Sequence, residues 1–206
     1  MLMPTFSRFL GTSFLLLVAA VQPVSAQGVV INEVMAANRR AVEHDGAYPD
    51  WVELPNPLTV SVDLSGYRLS DDPAVPDKYV FPAGTTIPPL GHLVVWCDGA
   101  TSSSELHSGF TLPADGTTLT LRRPAGTIGV TDEVAFGLQL DDFSIGRESN
   151  SAWGLAQPTP GNRNKTQPVG DIRKLAINEW MASPTAGEDW FELFNSSDRP
   201  VDLGGL

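Results

Sequence analysis

One pair of glutamates occurs twice in the chain, with nearly the same neighbours each time. Glu33 and Glu53 belong to a stretch that returns later with Glu179 and Glu192 at the equivalent positions. Two carboxyl groups near one bond are what glycoside hydrolysis requires, so each pair is a candidate acid–base couple. The alternative is structural: Glu33 accepts backbone N–H bonds at a strand end, and Glu53 lies on a solvent face beside Trp51. Repetition favours the structural role, because motifs repeated in each unit are usually packing requirements.

A cluster of aspartates is the strongest candidate for binding a cation. Asp71, Asp72 and Asp77 fall in one proline-broken loop and could supply oxygen ligands for calcium, with or without Asp50. Their spacing matches no EF-hand loop, and the prolines between them limit convergence. The alternative is a solvated acidic loop that keeps strand edges from pairing. The sequence favours the solvated loop.

Two of the five tryptophans are candidates for sugar stacking. Trp51 and Trp190 fall on the less apolar face of their predicted strands. An exposed row of aromatics including Trp51 would suit a carbohydrate-binding module. The alternative, which we favour, is packing, because sandwiches use large aromatic side chains to fill and cover the core.

The remaining reactive residue types form no recognisable site. His44, His92 and His107 are scattered, and no zinc-ligand spacing joins them. Cys97 is the one cysteine and lies in an apolar run, so we expect a buried, unreactive thiol that acts as a small hydrophobe. No nucleophile elbow, phosphate-binding glycine loop or zinc-protease motif occurs. The sequence therefore names no catalytic residue and no cofactor.

Composition restricts the possible partners. The 206-residue chain is 42% hydrophobic and 18% charged, which is typical of a globular protein, and its net charge is −11. Nucleic acids and anionic membranes both require a basic face, so we expect neither as a partner. Frequent glycine and proline favour many short strands joined by turns.

The sequence of the N-terminal segment predicts export. Arg8 precedes an apolar run over residues 14–21, which is too short to span a bilayer, and the small residues at 24–26 form a cleavage site. We expect residues 1–26 to be a signal peptide that is cut after Ala26. An uncleaved anchor is the alternative. The mature protein would be secreted or held at the cell surface.

Alternating apolar residues and an internal repeat define the organisation. We expect a β-sandwich over residues 27–163, a linker over 164–173, and the N-terminal part of a second copy over 174–206. Within the sandwich, the pattern predicts a strand over 62–70 interrupted at Gly66, and a hairpin turn at Asp115-Gly116. The second copy has counterparts of three strands only. Three short strands are marginal alone. Either the chain is a fragment of a longer product, which we favour, or this second copy packs on the first domain.

Several motifs in order resemble one family. They are Val30 to Met35, Asp50 to Leu54 with Asn56, Val62 to Leu69, Phe81 to Thr85, Leu93 to Trp96, Ser144 to Arg147, and Pro158 to Gly161. Together they resemble the lamin tail domain in its bacterial secreted form, although Pro55 replaces the aromatic residue usual before the Asn.

The resemblance implies an all-β, immunoglobulin-like sandwich that is often duplicated in larger secreted proteins, with no catalytic residues to transfer. We therefore expect an exported, non-enzymatic structural or interaction module with an unknown protein or glycan partner. The loops at 38–49, 71–77 and 98–108 are candidates to present to that partner. A carbohydrate-binding accessory module of an extracellular hydrolase is the alternative.

Overall fold

The computed structural model of the protein describes residues 29–100, 105–127, 129–149 and 151–203. The predicted signal peptide lies outside these residues. They contain fourteen strands and one short 3-10 helix, with no α-helix. None of their helices is long and apolar enough to cross a bilayer. The strands are β1 (Glu33–Met35), β2 (Asp50–Pro55), β3 (Val62–Asp63), β4 (Arg68–Ser70), β5 (Tyr79–Val80), β6 (Thr86–Ile87), β7 (His92–Cys97), β8 (Thr117–Arg122), β9 (Val130–Phe136), β10 (Ser144–Arg147), β11 (Trp153–Gln157), β12 (Lys165–Thr166), β13 (Leu175–Met181) and β14 (Trp190–Asn195).

The described part of residues 29–166 forms two facing antiparallel sheets, as expected for a sandwich. One sheet has six strands in the order β12-β11-β10-β1-β2-β7, and the other has four in the order β5-β4-β8-β9. A small separate pair, β3-β6, lies beside them. The sequence-based prediction of an all-β sandwich is confirmed.

The core lies between the two sheets and follows the alternation of apolar residues along the strands. Val52 and Leu54 of β2 and Leu119 and Leu121 of β8 are fully buried. Because successive side chains in a strand point to opposite faces, these residues share the inward face of their sheets. Loop residues complete the core, and the largest of them is Phe81.

The outer face of the six-stranded sheet is also covered. Met35, Trp51 and Trp96 form a second apolar cluster there, against which Val42 and Val94 pack. Val42 belongs to the loop that joins β1 and β2. This loop therefore covers the outer face of the sheet.

Two local predictions can be compared with the structure. The predicted interruption at Gly66 is present: β3 and β4 lie on either side of it, and Gly66 adopts φ +74, a conformation that ends an extended run. The predicted hairpin at Asp115-Gly116 is a turn that leads into β8 instead, and β8 pairs with β4 and β9. Gly116 is required there, since a Cβ atom would lie 2.4 Å from the Phe136 carbonyl oxygen.

The predicted linker over 164–173 contains regular structure. Strand β12 pairs with β11 at the edge of the six-stranded sheet, so the first unit extends beyond residue 163. A 3-10 helix, η1 (Ile172–Lys174), follows, and its N-cap Asp171 accepts a bond from the Arg173 backbone N–H. The second β unit is the hairpin β13-β14, and residues 201–203, the described part of the predicted third strand, are not in a strand.

Candidate functional site

The repeated glutamates of the first copy meet inside the protein. Glu33 and Glu53 lie directly opposite each other in the antiparallel pair β1-β2, and neither side chain is exposed. Residues opposite each other on one face of a pair come within about 5 Å at Cβ, so the two carboxyl groups share one buried region. Glu53 was predicted to lie on a solvent face, and this prediction is wrong.

Glu33 is held by two distant segments. Its Oε1 accepts from the Ser144 hydroxyl at 2.5 Å and from the Thr159 backbone N–H at 3.1 Å. Its Oε2 accepts from the Thr159 hydroxyl at 2.8 Å. Burial raises the pKa of Glu33, and these donors oppose that rise. The prediction that Glu33 accepts a backbone bond is confirmed.

Glu53 is held in a similar way. Its Oε1 accepts from the Asn32 amide at 2.8 Å, and its Oε2 accepts from the Gly161 backbone N–H at 2.6 Å. His92 Nε2 lies 3.8 Å from Glu53 Oε1. Burial raises the pKa of Glu53 to about 7 and lowers that of His92. The pKa of Glu53 is therefore near neutral because its carboxyl group is buried.

The two carboxylates anchor one later segment of the chain. Thr159 bonds Glu33 and Gly161 bonds Glu53, so residues 158–161 are fastened over the pair β1-β2. We call residues 158–161 the closing segment. The carboxyl oxygens of both residues accept hydrogen bonds from this segment, which suits an anchor. A hydrolytic pair, by contrast, needs open space for a substrate between its carboxyl groups.

The second copy repeats these local bonds without the burial. Glu179 lies opposite Glu192, and the Asn178 amide donates to Glu192 Oε1 as Asn32 donates to Glu53. Both glutamates of this copy are exposed. The repeat therefore preserves the register of the strand pair while both of its glutamates are exposed.

A second hydrogen-bonding side chain recurs in both copies, buried in the first and half-buried in the second. The Asn56 side-chain amide donates to the carbonyls of Val60 and Ile87, and its oxygen accepts from Leu58 N. Asn195 makes the corresponding bonds to residues two and four positions later, with Ser197 N and with the Arg199 carbonyl. This side chain organises the turn after the second strand of each unit.

Trp51 needs correction as a binding residue. It is fully buried, because Met35, Trp96 and Val42 enclose it on the outer face of the sheet. An indole without exposed surface cannot stack on a sugar, so no exposed row of aromatics includes Trp51. Trp190 is 45% exposed on the open hairpin.

The three candidate calcium ligands point to different partners. Asp71 pairs with Lys78 at 2.7 Å and Asp77 pairs with Arg68 at 2.7 Å. Asp72 accepts from a backbone N–H in its own loop. Across the described residues, no three His, Cys, Asp or Glu side chains are placed to hold a metal ion. The structure thus does not bring these aspartates together.

Two of the scattered histidines do meet, and no pattern in the sequence predicts this contact. The His44 ring stacks on Trp96 with centroids 3.9 Å apart, and the His107 ring lies 5.6 Å from that of His44. His107 Nδ1 is 2.9 Å from Asp98 Oδ1. The contact depends on loops that are far apart in sequence, so no spacing pattern could have shown it.

Comparison with known protein families identifies a match. A family model described as Lamin Tail Domain matches residues 22–137, which is more than half of the chain. Searches of curated proteins and of solved structures found no match. The two-sheet architecture agrees with the immunoglobulin-like sandwich of this family. The chain belongs to the lamin tail domain family.

Proposed function

We propose that this protein is an exported, non-enzymatic structural and interaction module of a bacterial secreted or cell-surface protein. The observation that carries the proposal is the structural role of Glu33 and Glu53. The two carboxylates that best resemble a catalytic pair are buried and anchor the closing segment.

The duplicated hairpin supports the same proposal. Residues 174–203 carry the glutamate pair and the asparagine turn of the first unit in the same register. Repetition of a packing motif is typical of modules joined in series. We propose that these residues are the first hairpin of a second lamin-tail-like unit, which would act as a spacer or present loops to a protein or glycan partner.

Export and the absence of catalysis can be tested separately on the full chain. We expect expression in a bacterial host to yield extracellular protein that begins at Gln27 by N-terminal sequencing. Intact residues 1–26 on cell-bound protein would overturn the export proposal.

The same purified protein should hydrolyse neither aryl glycosides nor aryl esters above the rate in buffer. Hydrolysis that Glu53→Gln abolishes, while the variant keeps the melting temperature of the parent, would overturn the non-enzymatic proposal.

A further inference from the structure

The edge of the six-stranded sheet at β7 has outward-facing backbone groups. Strand β7 is the last strand of the sheet and pairs with β2 on one side only. On its other side, Trp96 N donates to the Leu106 carbonyl, and Ser108 N donates to the Trp96 carbonyl. Backbone groups of alternate residues point to the same edge of a strand. The N–H and C=O groups of Val94 and His92 therefore face outward, in line with those of Trp96.

The outer backbone groups of Val94 and His92 make no hydrogen bond within the described part of the chain. The pairing of β7 with residues 106–108 stops at Trp96. An unpaired stretch of edge strand is a template for an added strand. Pro55 lies opposite His92 and has no N–H, which agrees with the outward direction of the His92 backbone groups.

A groove of about 560 Å³ lies along this part of the edge. Its apolar lining includes Val42, Leu93, Val94 and Leu106, while Pro160 and Gly161 of the closing segment form one wall. Alternate side chains of an added strand would have apolar surface to contact. Side-chain pockets beside a strand edge are what give such additions specificity.

The charge of the groove indicates what kind of strand it fits. Glu43 and Glu105 both line it, and no lysine or arginine does. The Glu105 side chain is 58% exposed, and its Oε2 accepts from the Trp96 indole N–H. The chain as a whole carries a net charge of −11. These carboxylates favour a cationic partner and disfavour an acidic one.

We propose that the edge of β7 at His92 to Val94 binds an extended segment of a partner protein in which basic and apolar residues alternate. The added segment pairs its backbone with Val94 and directs its basic side chains toward Glu43 and Glu105. This proposal rests on the proposed function as an interaction module, for which it names the site and the class of partner.

A fluorescent hexapeptide that alternates lysine with valine tests the proposal by fluorescence anisotropy with the full chain. We expect saturable binding that is at least tenfold weaker for the same peptide with methylated nitrogens on its pairing edge. Methylation keeps the charge and removes the donors, so it separates strand addition from general attraction to an acidic protein. A glutamate–valine peptide should not bind.

Two protein variants locate the site. Val94→Pro removes one outward N–H and should weaken binding about tenfold, while Val80→Pro alters the outward edge of β5 and should leave binding unchanged. Equal binding of the methylated and parent peptides, or no binding at millimolar peptide, overturns the proposal. If Val94→Pro fails to fold, the methylated peptide still decides the question. None of these outcomes bears on the hydrolysis and export assays.

Discussion

Glu33 and Glu53 face each other across β1 and β2, and each binds a different residue of the same closing segment. Thr159 bonds Glu33 and Gly161 bonds Glu53 over sequence separations of 126 and 108 residues. The pair thereby connects the start of the sandwich to its end. Its role is to close the fold.

The first prediction concerns the hydroxyl donor to Glu33. Thr159→Val keeps the shape of the side chain and removes the 2.8 Å bond to Oε2. We expect a loss of about 1–3 kcal/mol in the free energy of unfolding, because a buried carboxylate loses a partner. Guanidinium denaturation measures it. Thr166→Val, on the exposed strand β12, is the matched control and should change stability by less than about 0.5 kcal/mol.

The duplication supplies a second matched comparison. Asn56 is 2% exposed and bonds three carbonyls, whereas Asn195 is half-buried and bonds one. We expect Asn56→Ala to cost about 2–4 kcal/mol and Asn195→Ala less than about 1 kcal/mol, as measured by chemical denaturation. Equal costs would contradict the view that the turn asparagine stabilises the fold through its buried partners.

Arg147 connects the two sheets of the sandwich. Its Nη2 bonds both carboxylate oxygens of Asp132 in β9, and its Nε donates to the Ile31 carbonyl at 2.7 Å. Lysine cannot reproduce this planar set of donors, so Arg147→Lys should cost about 1–3 kcal/mol of stability. Arg39→Lys, at an exposed ion pair, should cost less than about 0.5 kcal/mol. Thermal or chemical melts of both variants check the contrast.

Cys97 should be inert in the folded protein. It is 1% exposed, and burial raises the pKa of its thiol. Because the thiolate is the reactive form, Ellman's reagent should modify Cys97 only after unfolding in guanidinium. Reaction of the native protein within minutes at pH 8 would show that this strand is not packed as described.

The sequence predicted the sandwich and the anchoring of Glu33, because both follow from alternation and from a carboxylate on an apolar face. It failed for Glu53, which was assigned to a solvent face. For Trp51, packing was the favoured alternative, and the side chain is buried although it lies on the less apolar face of its strand. Alternation distinguishes the two faces of a strand, and it does not tell whether the second face is covered. Here the loop with Val42 covers Trp51, and Gly161 covers Glu53 from 108 residues away.

The turns were predicted less well than the strands, for a related reason. Gly66 marked a break, and its φ of +74 accounts for it. Asp115-Gly116 matched a hairpin signal equally well. Glycine is required at position 116, however, because the backbone there lies close to Phe136 in β9. A local dipeptide shows that the chain turns. Which strands then pair depends on the core on either side.

The buried position of Glu53 can be tested by comparing the pH dependence of stability in the wild type and in Glu53→Gln. Burial raises the pKa of Glu53 from 4.5 to about 7, so the folded state holds a proton that the unfolded chain has lost. Between these values folding is coupled to proton uptake, and stability falls as pH rises through 7. The wild-type free energy of unfolding should therefore drop from pH 5 to pH 8 by about 2 kcal/mol more than that of Glu53→Gln. Parallel pH profiles for the two proteins would show that Glu53 is solvated, and would contradict its role as a buried anchor of the closing segment.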